Sequence, residues 1–148
     1  MTTRTVLFEQ AGQAARRWVR EISHGFPTDD EHFVFRVLRT WLHIVRDQLT
    51  VPAAAHLAAQ LPDLLRGTYY EGWNPSRVPH RADVAAFVDR FAQDAGISPK
   101  DVPTAARVVT TRMDRLMSAG QIAKVLAQLP RDVRAVLDPA ARIETEVI

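Results

Sequence analysis

Cysteine is absent from the 148 residues, which excludes disulfides and thiolate metal sites. Long apolar runs are absent as well. No stretch approaches the roughly 18 apolar residues that a membrane span needs. Met1 to Gln10 lacks the apolar run of a signal peptide. These absences predict a cytoplasmic protein with no membrane association. Lysine is scarce: only Lys100 and Lys124 occur, so 17 of the 19 basic residues are arginine. Arginine grips carboxylates and phosphates with a planar fork that lysine lacks. The formal net charge is only +2, however, which gives weak long-range attraction to nucleic acid. An arginine-rich, alanine-rich, lysine-poor composition fits a GC-rich bacterial genome.

Motifs that carry chemistry are missing too. There is no glycine-rich phosphate loop, and no serine stands in a nucleophile-elbow context. The histidines are His24, His32, His43, His56 and His80, and no two are spaced i, i+3 or i, i+4. The helical metal-binding pattern is therefore absent. Glu71 and His80 could be neighbours, but any carboxylate near any histidine would say as much. The sequence predicts no catalytic residue, no cofactor and no metal, hence no enzyme.

What is present is helical periodicity. Apolar residues make up 47% of the chain and charged residues 24%, enough of the former for a packed core. Leu7, Ala11, Ala14, Ala15, Trp18 and Ile22 recur at three- and four-residue spacing, which predicts an amphipathic helix over residues 4–23, ended by Gly25 and Pro27. Thr28 followed by Glu31 has the form of a capping box, so a second helix should start near Asp29 and run to Leu49. Val34, Val37, Leu38, Trp41, Ile44 and Val45 form its stripe, and Phe35 and Leu42 lie off it. A helix apolar nearly all round is expected to be central and buried. Thr50 can cap a short third helix, and Pro62 stands where a fourth begins, carrying Leu64, Leu65, Tyr69 and Tyr70. Prolines and a glycine in 72–79 mark a connector. Beyond it, helices are expected around Phe87 and Phe91, then from a cap at Ser98 or Asp101 as far as Gly120, then around Ile122 to Leu129, then from Pro130.

The chain resembles itself. Ala59-Gln60-Leu61-Pro62 recurs 68 residues later as Ala127-Gln128-Leu129-Pro130, and an arginine follows each proline by four residues, Arg66 and Arg134. Trp18 aligns with Phe87, and Arg36, Val37 and Thr40 align with Arg107, Val108 and Thr111 after small gaps. Each Leu-Pro is first a structural corner, because proline ends one helix and starts the next in a new direction. The expected architecture is an all-α, compact bundle of about eight helices formed by two tandem four-helix repeats. The boundaries are 1–72 for the first repeat, 73–81 for the connector, 82–138 for the second repeat and 139–148 for a tail.

Ala59-Gln60-Leu61-Pro62, Leu65-Arg66-Gly67, Tyr69-Tyr70-Glu71-Gly72-Trp73 and Pro79, with the second Gln-Leu-Pro, together resemble the bacterial domain-of-unknown-function family DUF2267 over about residues 8–138. The resemblance implies a duplicated helical fold and brings no established activity with it. The second half departs from the motif. Ala135, Val136 and Leu137 stand where the first half has Gly67, Thr68 and Tyr69, so a function of the aromatics would belong to the first half alone.

Two surfaces follow as candidates. Arg66, Tyr69, Tyr70 and Trp73 cluster at the half-boundary, and these residue types dominate binding hot spots. The competing reading, given more weight, is an aromatic plug holding the connector to the core. The expectation is a mixture, with Trp73 and one tyrosine buried and Arg66 and the other tyrosine partly exposed. The second candidate is a helix-turn-helix-like pair, with Ile122, Leu126 and Val133 as core and Arg131 and Arg134 as nucleic-acid contacts. Its turn lacks glycine and Asp132 would face phosphates, so nucleic acid is disfavoured. The favoured function is a non-catalytic protein–protein interaction or scaffold module whose partner is an unidentified protein, self-association included. A nucleic-acid-binding regulator is the alternative.

Overall fold

The helices begin and end where backbone groups find local partners. The computed structural model describes residues 3–141, with side chains from Val6 onward. Its α-helices are α1 (Thr3–Ser23), α2 (Glu31–Gln48), α3 (Val51–Ala58), α4 (Asp63–Tyr70), α5 (Val84–Ala95), α6 (Val102–Leu116), α7 (Gln121–Ala127) and α8 (Arg131–Leu137). Short 3-10 turns occupy Pro75–Arg77 and Pro99–Asp101, and no strand occurs among the described residues. No helix among them is long and apolar enough to cross a membrane. The tail expected over 139–148 lies outside the described residues from position 142 onward.

Start signals were legible, but two were assigned to the wrong residue. The cap of α2 is Asp30, not Thr28: Asp30 Oδ1 accepts from the backbone N–H of His32 at 3.0 Å and of Phe33 at 3.2 Å. Thr28 Oγ1 instead accepts from Asp30 N–H at 3.1 Å, one step outside the helix. Neither Ser98 nor Asp101 caps α6 with its side chain; the turn Pro99–Asp101 leads straight into Val102. α6 ends at Leu116 rather than Gly120. Thr50 does cap α3, accepting from Ala53 N–H, and Asp83 caps α5, accepting from Ala86 N–H at 2.8 Å. Gly25 has a packing reason. A Cβ there would come within 2.5 Å of Val108 Cγ1, so the turn after α1 lies flush on α6.

α2 is the centre of the bundle, packed against α1, α4, α5 and α6. Val34, Val37, Leu38, Trp41, Leu42 and Val45 are all fully buried along it. Phe35 is the exception: it faces outward and is 36% exposed, so α2 is not buried all round. Trp41 crosses the middle of the molecule, and its Nε1–H donates to Thr110 Oγ1 on α6 at 3.0 Å. The Thr110 hydroxyl donates in turn to Ala106 O at 2.9 Å. The indole therefore has its polar tip satisfied inside the core, which lets it be buried whole. One contiguous core contains residues of all eight helices.

Burial recurs along the chain at a fixed interval. Val34, Trp41, Leu49, Leu57, Leu61 and Leu65 are buried, and so are the residues 68 positions later: Val102, Val109, Met117, Val125, Leu129 and Val133. For α1 and α5 the interval is 69, Trp18 with Phe87 and Ile22 with Phe91. The loop between α1 and α2 is one residue longer than the segment between α5 and α6, which accounts for the step. This register overturns the pairing of Arg36, Val37 and Thr40 with Arg107, Val108 and Thr111. That pairing is nearly one turn out: Thr40 is buried and Thr111 is exposed.

Trp41→Ala should cost about 3–5 kcal/mol through the cavity it opens at the centre of α2. Denaturant melts of the two proteins measure it. A cost under about 1 kcal/mol, the scale of surface substitutions, would show that α2 is not the centre of stability.

Candidate functional site

The C-terminal end of α4 points its last carbonyls at α2, and α2 answers with two side chains. Arg46 is a core residue, 2% exposed. Its Nη1 donates to Tyr69 O at 2.6 Å and to Glu71 O at 2.7 Å. Its Nε donates to Asp47 Oδ1 at 2.8 Å, and the other oxygen of Asp47 accepts from Arg90 Nη2 on α5 at 3.0 Å. His43, one turn earlier on α2, donates from Nε2 to Thr68 O at 2.6 Å. A carbonyl can only accept, so the ring carries its proton on Nε2. Helix ends leave their last carbonyls unpaired, and here a guanidinium and an imidazole supply the missing donors.

Burial holds the His43 pKa below the ordinary 6.5, partly opposed by the hydrogen bond to Thr68 and assisted by the nearby charges of Arg46 and Arg39. Tyr69 is fully buried. Its hydroxyl donates to Ala54 O at 2.9 Å, and burial pushes its pKa far above the ordinary tyrosine value. Tyr69 is therefore a core residue and is removed from the candidate surface. Arg66 is committed as well. Its Nε donates to Ala58 O at 2.9 Å and its Nη2 to Leu61 O at 2.8 Å, with Nη1 on Asp63 Oδ1 at 3.2 Å. Arg66 thus caps the end of α3 and braces the Leu61-Pro62 corner. The composition that suggested a hot spot reflects the needs of two helix ends.

Arg66 nonetheless stays partly exposed, as expected, with 40% of its side chain open to solvent, and two aromatic members also remain at the surface. The Tyr70 ring meets Tyr69 edge-on at 5.1 Å and Trp73 at 5.2 Å. Tyr70 and Trp73 are each half-buried, where the sequence suggested a buried tryptophan. The Trp73 Nε1 itself is buried and has no hydrogen-bond acceptor. Glu71 beside them is ion-paired to Arg39 at 3.6 Å.

Arg131 and Arg134 both lie on α8. Arg131 is exposed, whereas Arg134 is half-buried in a groove of about 440 Å³ between α6, α7 and α8. Asp114 and Asp138 line the same groove, and two carboxylates beside the arginine repel phosphate. Among the described residues, no group of three or more His, Asp or Glu side chains is placed to hold a metal ion.

One surface escaped the sequence reading. A groove of about 460 Å³ runs between α1, α2 and α4, lined by Gly12, Ala15, Arg16, Val19, Phe35 and Leu64 among others. Leu64 is 53% exposed, whereas its neighbour Leu65 is buried. Leu7, on the apolar stripe of α1, is 59% exposed, while Trp18 and Ile22 further along that stripe are buried. Helical spacing marks a face, and it cannot say whether the neighbouring helix reaches that far.

These features define an all-α bundle in which Arg46, His43 and Arg66 are spent on helix ends. The chain belongs to the family described as "Uncharacterized conserved protein (DUF2267)", whose model matches residues 15–136. The match takes in both Leu-Pro corners and the Tyr70–Trp73 pair. No curated protein matches the chain.

Two outcomes test the capping. Arg46→Met should lose about 3–5 kcal/mol in urea melts, because Asp47 and the α4 carbonyls are left without their donor. The His43 ring contributes through its lowered pKa. As pH falls the unfolded chain takes up this proton first, so the stability is full above about 6.5 and is lost as pH drops through the folded-state value. His43→Gln keeps an N–H donor and does not titrate. Between pH 7 and pH 5 the wild type should therefore lose more stability than the variant, and equal losses would refute the role.

Proposed function

We propose that this protein is a non-catalytic scaffold that binds another protein through the Tyr70–Trp73 edge. In this reading it is a bacterial, cytoplasmic protein, and its two halves are copies of one helical unit. The observation that carries the proposal is the mounting of that edge. The Tyr70 ring at the end of α4 and the Trp73 ring just beyond it meet at a tilt of 46° and are each half-buried, and the end of α4 is held by Arg46 and His43. A rigid aromatic anchor costs little entropy on binding, which is why such residues dominate interface energetics. The recurrence of buried positions at 68 residues supports the duplication.

The alternative is a nucleic-acid-binding regulator acting through Arg131 and Arg134. Arg131 is exposed, which favours it, and the carboxylates beside Arg134 weigh against it.

Affinity capture from a bacterial lysate, with and without nuclease, separates the two. Proteins should be retained after nuclease by the wild type and lost by Tyr70→Ala and by Trp73→Ala, with both variants still folding cooperatively. Arg131→Glu combined with Arg134→Glu should change nothing. If retention needs nucleic acid, falls steeply with salt and disappears in the arginine variant, the regulator reading replaces the scaffold.

A further inference from the structure

The first turns of α1 carry Leu7 at 59% and Phe8 at 70% exposure, beyond the reach of the chain's own core. Val6 beside them is exposed too, and contiguous exposed apolar surface marks an interaction site where a lone exposed residue does not. Phe8 stands one turn before Gly12, and Phe8, Gly12, Ala15 and Val19 follow the 4-3-4 spacing of a helix-packing seam. The last three of these line the groove between α1, α2 and α4, with Phe35 and Leu64 on its far wall. Gly12 sits inside a helix, where glycine costs about 1 kcal/mol relative to alanine. No described residue accounts for it, since a Cβ there would meet none of their atoms within 4 Å. That is the expected residue where another backbone comes close.

Charge names the occupant. Glu9 and Arg16 flank the same side of the seam, seven residues apart and opposite in sign. Neither makes an ion pair with a described residue, while Glu21, further along α1, is paired with Arg112 and Arg115. A seam flanked this way is complementary to itself when reversed. In an antiparallel pair of α1 helices, Glu9 of each copy meets Arg16 of the other, and a twofold axis repeats the contact. We propose that a second copy of this chain occupies the groove, the two α1 helices crossing antiparallel so that Phe8 of each enters the groove of the other beside Val19 and Phe35. This interface is separate from the Tyr70–Trp73 edge and stands or falls independently of it.

Sedimentation and light scattering of the full chain across concentration test this. The wild type should form a dimer. Phe8→Glu should sediment as a monomer at every concentration and keep its helical circular dichroism and cooperative melt, because Phe8 is 70% exposed and no part of the buried core. Glu9→Arg alone and Arg16→Glu alone should each weaken the dimer by about tenfold, and the double exchange should restore it. A wild type that stays monomeric at its highest soluble concentration overturns the proposal. So does a dimer indifferent to Phe8→Glu, or single exchanges that the double exchange fails to rescue. Binding of monomeric wild type to anionic phosphatidylserine vesicles, lost in Phe8→Glu, would assign the exposed turns to a lipid surface and overturn it equally.

Discussion

The guanidinium of Arg46 is the interaction on which the arrangement of the first half depends. Moving a charge out of water costs several kcal/mol unless it is paired and hydrogen-bonded at short range. Arg46 meets this condition with the Asp47 carboxylate and two carbonyls at the end of α4. The same bonds fix α4 against α2, and Asp47 extends the link to Arg90 on α5. The connector is tied in at the same place, because His80 N–H donates to Asp47 O at 2.6 Å. A hydrophobic contact could slide at little cost. A buried guanidinium with directed partners cannot, so it specifies one relation between helices that would otherwise pack in several ways.

Short helices make such caps necessary. α3 and α4 have eight residues each, so unpaired terminal carbonyls are a large share of their backbone. Arg66 serves α3 as Arg46 and His43 serve α4. Three side chains capable of binding or proton transfer are thereby committed to the fold. The Tyr70–Trp73 edge and the groove along α1 stay open, with apolar side chains at the surface. The scaffold reading rests on this division of labour.

Much of the fold was legible because its signals are local. The prolines at 62 and 130 mark corners through their own geometry, and Trp41 lies within a run whose periodicity demands burial. The 68-residue recurrence of Gln-Leu-Pro matches the interval at which the buried positions named above for α2 to α4 recur in α6 to α8. The gapped matching of Arg36, Val37 and Thr40 failed because chemical likeness across a gap was preferred to an unbroken burial register. Arg46 escaped notice. Its signal was an arginine on the apolar stripe beside Ile44 and Val45, a position that only a satisfied charge can hold. Arg66 was seen, and it was read as a contact for a partner when it was a contact for α3.

By itself the sequence determined the helical class, the order and approximate limits of the helices and the identity of most core residues, because these follow from side-chain periodicity and backbone restrictions within a few residues. Only the tertiary structure decided which carbonyls the arginines reach, which aromatic is the core member of the cluster and where an apolar face runs out of partners. Those outcomes depend on where one helix ends relative to another, distant in sequence, and an angstrom or two there separates a capped carbonyl from an open groove.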